Sequence, residues 1–148
     1  MSPLYLIDGF NFLHAVVLKG RDRAHWWSIE NQRAVRDWVA EHAIVGARTW
    51  IIFDQRERRA EPAASEPAAS DEPSTPTAAG GPEVRHAPDA DAQILAFCAD
   101  LRQAWDIVVV SADRSLVDRA RRHGARSLSP WDFARYAAAQ RATPATRE

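Results

Sequence analysis

The stretch Leu4-Tyr5-Leu6-Ile7-Asp8-Gly9-Phe10-Asn11 is a short apolar run that stops at a carboxylate, a glycine and an amide. A run of this length closed by a turn signal reads as a buried strand, and in an open α/β sheet ligands bind at the carboxyl ends of such strands. Two later stretches repeat the pattern. Trp50-Ile51-Ile52-Phe53 ends at Asp54, and Ile107-Val108-Val109-Val110-Ser111-Ala112 ends at Asp113. If these strands are parallel neighbours, their aspartates converge on one edge of the sheet.

Between and after these strands the apolar spacing changes to that of helices. A short helix is expected over 11–18. Ser28 is the expected N-cap of a longer one running to about Val45, with Val35, Trp38, Val39 and His42 on one face and Gly46 as its stop. His42 on that face reads as a packed histidine with a satisfied ring nitrogen. Val84 lies in a short third strand, followed by a helix from Asp89 to about Trp105 that places Ile94, Leu95, Cys98, Leu101 and Trp105 together. Ser115 is the expected cap of a helix ending before Gly124, a short strand follows over 125–128, and Pro130 opens the last helix, through about Arg141. Strands alternating with amphipathic helices predict a mostly parallel sheet covered on both faces.

One segment breaks the grammar. From 56 to 82 Glu, Pro, Ala, Ser and Thr dominate and no apolar periodicity survives, so it reads as a disordered insertion. The rest, 1–142, reads as a single domain, with a frayed tail over 143–148. At 148 residues the chain is long enough for one real core. No long apolar segment or signal peptide is evident, so a soluble, cytoplasmic protein without membrane attachment is expected. Cys98 is the single cysteine; it reads as a small buried hydrophobe, and no zinc pattern exists. Net charge is −1, and Lys19 is the only lysine among 19 basic residues. Arginine's planar fork suits phosphate oxygens, though a GC-rich genome produces the same bias.

Asp8, Asp54, Asp91 and Asp113, with Asn11 and Asp89, are the polar groups such a sheet gathers at one edge. Carboxylates brought that close repel, and a hard divalent cation with oxygen ligands, Mg2+ or Mn2+, neutralises them. A cation held this way can activate water and stabilise phosphoryl charge, which points to hydrolysis of a phosphodiester. Each aspartate also has a local explanation. Asp8-Gly9 is a common turn pair, Asp113 can cap a helix, and Asp89 and Asp91 can complement a helix dipole. Three strand-terminal aspartates together are harder to explain that way. Other chemistries find no support: there is no dinucleotide fingerprint or P-loop lysine, Phe10 stands where an aspartyl phosphatase needs a second aspartate, and Ser111 lacks nucleophile-elbow glycines.

The segments Ile7-Asp8-Gly9-Phe10-Asn11, Phe53-Asp54, Asp89-Ala90-Asp91-x-x-Ile94 and Ser111-Ala112-Asp113-Arg114 together resemble the NYN domain, a branch of the PIN-like nuclease superfamily, and most nearly its YacP-like bacterial members. The resemblance covers residues 4–136 apart from the insertion. It implies a Rossmann-like three-layer α/β/α sandwich and a divalent-metal-dependent ribonuclease, with no organic cofactor. Asp8, Asp91 and Asp113 match the metal-binding acids, Asn11 the polar residue closing the first motif, and Asp54 a supporting acid. Phe10 replaces a usual tyrosine and Asp89 a usual threonine or serine; Asp89 and Ser111 are further candidates as added ligands or supports. Arg56, Arg58, Arg59 and Arg114 are candidates for RNA phosphates, and Trp26 and Trp27 for stacking on unpaired bases. Trp38, Trp50 and Trp105 read as core. The competing reading is a module of the same fold that binds RNA or protein without cutting, since no continuous basic stripe is visible in the sequence. Pairing into a homodimer is left open.

Overall fold

The computed structural model describes residues 2–18, 28–42, 44, 46–55 and 82–142. The expected insertion, apart from Pro82, and the tail from 143 lie outside the described residues. Five strands form one sheet in the order β3-β2-β1-β4-β5, and all four pairings are parallel. They are β1 (Pro3–Asp8), β2 (Arg48–Asp54), β3 (Glu83–Ala87), β4 (Asp106–Val110) and β5 (Arg126–Leu128). Unbroken apolar runs are what a parallel sheet covered on both faces requires, and Leu4, Leu6, Ile7, Ile51, Ile52, Phe53, Val109 and Val110 are wholly buried.

Side chains alternate across the sheet, which divides the core into two layers. Tyr5, Ile7, Ile51, Phe53, Val108 and Val110 pack on one face with Phe12, Val35, Val39 and Phe133. These come from α1 (Gly9–Phe12), which continues as a π-helical stretch Leu13–Leu18, from α2 (Ile29–Glu41) and from α5 (Pro130–Ala142). Leu4, Leu6, Ile52, Ile107 and Val109 pack on the opposite face with Ile94, Cys98, Leu116 and Ala120, which belong to α3 (Ala90–Leu101) and α4 (Arg114–Arg122). The result is the expected Rossmann-like three-layer sandwich. No helix among the described residues is long and apolar enough to cross a membrane.

Several expectations hold in detail. Ser28 caps α2 by accepting from the Asn31 amide at 3.2 Å. His42 stacks on Trp38 at 3.9 Å and its Nδ1 lies 2.8 Å from the Trp38 carbonyl. Trp38 and, on the other face, Trp50 and Trp105 pack half-buried against the core. Cys98 is buried, and burial pushes its thiol up to about 11, so it behaves as an inert apolar group.

Element ends differ from expectation for physical reasons. Helix α2 stops at Glu41, four residues early, because Ile44 leaves the helix to enter the core; Gly46, at φ +83°, serves the turn into β2 instead. Helix α3 stops at Leu101, whose carbonyl takes both the Ala104 and Trp105 amides at 3.0 Å, since Asp106 must begin β4 against Ser2. The first helix starts at Gly9, two residues early. Asp8-Gly9 is therefore a strand-to-helix junction and not a turn. A Cβ on Gly9 would stand 2.5 Å from the Phe53 ring and 3.0 Å from the Ile52 carbonyl, so glycine is required there by close approach of β2.

Candidate active site

Strands β1 and β4 are neighbours, yet the chain visits β2 and β3, on the far side of β1, before it returns to make β4. That reversal opens a crevice between the carboxyl ends of β1 and β4, where open α/β sheets bind ligands. The alternation also sets which way the polar groups at the strand ends face. Leu4 and Leu6 lie under α3 and α4, as do Ile52 and Val109. Continuing each series by two residues puts Asp8, Asp54 and Ser111 on that same face. Helices α3 and α4 run back from this edge, so their first turns, with Asp89, Asp91 and Asp113, stand beside it.

A hydrogen-bonded web ties the β1 and β4 ends together. The Ser111 hydroxyl, 2 % exposed, donates to Asp8 Oδ2 at 3.3 Å and accepts from the Asp113 amide at 3.0 Å. Asn11 Oδ1 accepts from the Ala112 amide at 2.8 Å, pinning the loop after β4 to α1. Asp113 Oδ1 accepts from the Ser115 and Leu116 amides at 3.0 and 3.3 Å. Asp113 is thus the N-cap of α4, in place of the expected Ser115, which lies within the first turn: the extended backbone of Asp113 lets a charged oxygen reach two free amides and meet the positive end of the helix. Asp89 caps α3 in the same way, accepting from the Ala92 amide at 3.2 Å.

The electrostatics of the cluster are unfavourable to charge. The Asp8 carboxyl is pushed up to about 7, chiefly by burial and then by the Asp91 and, less, the Asp113 carboxylate, with hydrogen bonds from Ser111 and the Asn11 backbone opposing in part. Asp91 is raised too, first by burial and then by Asp113, Asp89 and Asp54, with Arg119 opposing. Asp8, Asp54, Asp91, Asp113 and Asp89 therefore act on one another through space. Phe10 is buried with its ring 4.9 Å from Phe53, so the aromatic at that position packs.

In kind, the donor set fits a hard divalent cation: oxygen ligands only, on carboxylates that repel one another. In number, the described residues hold no group of three His, Cys, Asp or Glu side chains drawn together tightly enough to bind a metal by themselves. Arg114 is exposed at the start of α4 beside the site. Arg56, Arg58, Arg59, Trp26 and Trp27 lie outside the described residues. Arg119 was not among the residues singled out from sequence. Helical spacing from Leu116 and Ala120 puts it on the flank of α4, but only the packing of α3 beside α4 reveals that Asp91 is its neighbour.

Among solved structures, the chain is similar to Rae1 (YacP) from Bacillus subtilis, at 20% identity and a TM-score of 0.67, over 94% of this chain and 75% of that one. A point mutant of the same protein gives 20% identity and a TM-score of 0.64, over 94% and 76%. No protein-family model matches the sequence, and no curated protein matches it significantly. At this identity the likeness bears on the fold alone, a Rossmann-like α/β sandwich.

Proposed function

We propose that this chain is a divalent-metal-dependent ribonuclease of the NYN type, in the YacP-like branch, acting on RNA in the cytoplasm. The observation that carries the reading is the placement of Asp8, Asp91 and Asp113 around the switch point between β1 and β4, at the end of β1 and at the starts of α3 and α4. Acids gathered where they repel one another are relieved either by taking up a proton or by a bound cation.

The residues that would hold the cation are Asp8, Asp91 and Asp113, with Asp54 adding negative charge behind Asp91. A divalent ion bound there lowers the pKa of a coordinated water and offsets charge on phosphate oxygens. The chain's own contribution is placement and protonation. Ser111 holds Asp8 in position with a hydrogen bond that favours its ionised form, and Asp8 has to lose its proton to serve as a ligand. Asn11 fixes the loop that carries Ser111 and Asp113. The α4 cap fixes Asp113 through Oδ1 and leaves Oδ2 out of the cap. Asp89 is occupied by its own helix cap and serves as a support.

A second reading, a module of this fold that binds RNA without cutting it, draws on one observation: two of the acids, Asp89 and Asp113, already serve as helix caps, and no three described side chains close around a metal. Incubation of mixed-sequence single-stranded RNA with the protein separates the two. Cleavage with Mn2+ or Mg2+ that disappears with EDTA and with Asp113→Asn supports the nuclease. Intact RNA with folded wild-type protein and either metal supports the binding module.

A further inference from the structure

The mixed charge of the whole chain conceals a basic surface that the fold assembles. Helix α4 buries Leu116 and Ala120 completely, and its exposed residues include Arg114, Arg119, Arg121 and Arg122 against one acid, Asp118. Nine residues span about 14 Å, so the four arginines spread over the exposed side of a short helix, a broad ridge with Arg119 and Arg121 on its two flanks. None of the four takes part in an ion pair: the pairs among the described residues are Arg85 with Glu83, Arg126 with Asp106 and Arg135 with Asp132. The ridge lies on the same face of the sheet as the carboxylates. Its first residue follows Asp113, the cap of α4, and α4 packs on the same face as α3, which carries Asp91 in its first turn. Arg102, the residue after α3, donates to the His123 carbonyl at 3.2 Å, which ties the far end of α4 to the end of α3.

Complementing the helix dipole explains basic residues in the last turn of α4 but not Arg114, which sits at the positive end, where a cation is disfavoured. A second groove with unpaired arginines, Arg33 and Arg36 beside Ile29, Val84 and His86, is on the opposite face of the sheet, under α2. Charge and position together favour α4.

We infer that the arginine ridge of α4 carries the phosphodiester backbone of single-stranded RNA away from the carboxylate edge, from Arg114 beside the site through Arg119 to Arg122 at the far end. This rests on the ribonuclease reading for the identity of the polyanion. The physical role is neutralisation of successive phosphates, which makes binding steeply salt-dependent.

The test is anisotropy of a labelled single-stranded RNA of roughly a dozen nucleotides, within the site sizes of single-strand-binding folds and longer than the ridge itself, measured in EDTA so that no cleavage intervenes. Wild type is compared with Arg119→Gln/Arg122→Gln and with Arg33→Gln/Arg36→Gln over a salt series. Each phosphate contact contributes about 0.7 to the slope of log affinity on log salt. Loss of two lowers the slope by about 1.4 and, with affinity at 1 M unchanged, weakens binding about 25-fold at 0.1 M. The Arg33/Arg36 variant is expected to bind as wild type does. Unchanged affinity and slope in the Arg119/Arg122 variant overturn the inference, as does an equal loss in both variants or no binding by wild type. Cleavage by wild type is scored separately. RNA cut by a protein whose Arg119/Arg122 variant binds normally refutes the ridge and leaves the nuclease standing; RNA bound through the ridge but left intact does the reverse.

Discussion

Replacing Asp8 with asparagine removes a charge that the fold buries, and the consequence is a pH-dependent gain in stability. The carboxyl titrates near 3.8 when the chain is unfolded and near 7 in the folded protein. Between those values the folded protein holds a proton that the unfolded chain has lost, so wild-type stability falls as pH rises, by about 1.4 kcal/mol per unit from this group alone. Above about pH 7 both states are ionised and the penalty is complete: about 3 units, or about 4 kcal/mol as an upper bound. Asparagine keeps a side-chain oxygen to accept from Ser111 and carries no charge. The Asp8→Asn protein is therefore expected to exceed wild type by about 2–4 kcal/mol at pH 8 and by about 1.5 kcal/mol or less at pH 5. For a chain of this size each kcal/mol moves the melting temperature by roughly 2–4 °C. Urea denaturation in EDTA from pH 5 to pH 9 reads this directly. Added Mg2+ or Mn2+ narrows the gap at pH 8, since an ion that binds only the folded wild type stabilises it by mass action. Parallel pH profiles for the two proteins would refute the reasoning, for they would mean that Asp8 is not held protonated by its surroundings.

Three further substitutions test separate parts of the site. Gly9→Ala drives a methyl into the Phe53 ring and the Ile52 carbonyl and is expected to cost about 1–3 kcal/mol in a denaturation midpoint. Ser111→Ala removes the hydrogen bond that favours ionised Asp8, so the acid limb of a cleavage–pH profile moves to higher pH while far-UV circular dichroism stays as in wild type. Asp113→Ala loses the α4 cap and about 1 kcal/mol of stability, whereas Asp113→Asn keeps the cap; equal loss of cleavage in both, with unequal urea midpoints, assigns the activity to the charge and the stability to the cap.

Much of the site was legible one strand at a time. The apolar runs ending at Asp8, Asp54 and Asp113 required buried parallel strands, because no alternating or helical burial accommodates them. Their carboxylates meet on condition that the strands are parallel neighbours, which the sheet order supplies. The positions that misled are those where neighbours in space overrule neighbours in sequence. Ser115 has the composition of a cap, but Asp113, already extended at the end of the β4 connection, reaches the free amides first. Gly9 has the look of a turn residue, but Phe53 from β2 is what demands it.

By itself, the sequence determined the layer architecture, the order of strands and helices, and the identity of the acids, since these follow from local periodicity and from where apolar runs stop. The tertiary structure alone decided that β1 and β4 are adjacent across a switch point, and that burial and mutual repulsion push Asp8 toward neutrality. It also decided that the arginine-rich helix α4 covers the face of the sheet toward which Asp8 and Asp54 point. Adjacency between segments a hundred residues apart depends on which helix covers which face. That choice is made by packing, which no stretch of the chain encodes alone.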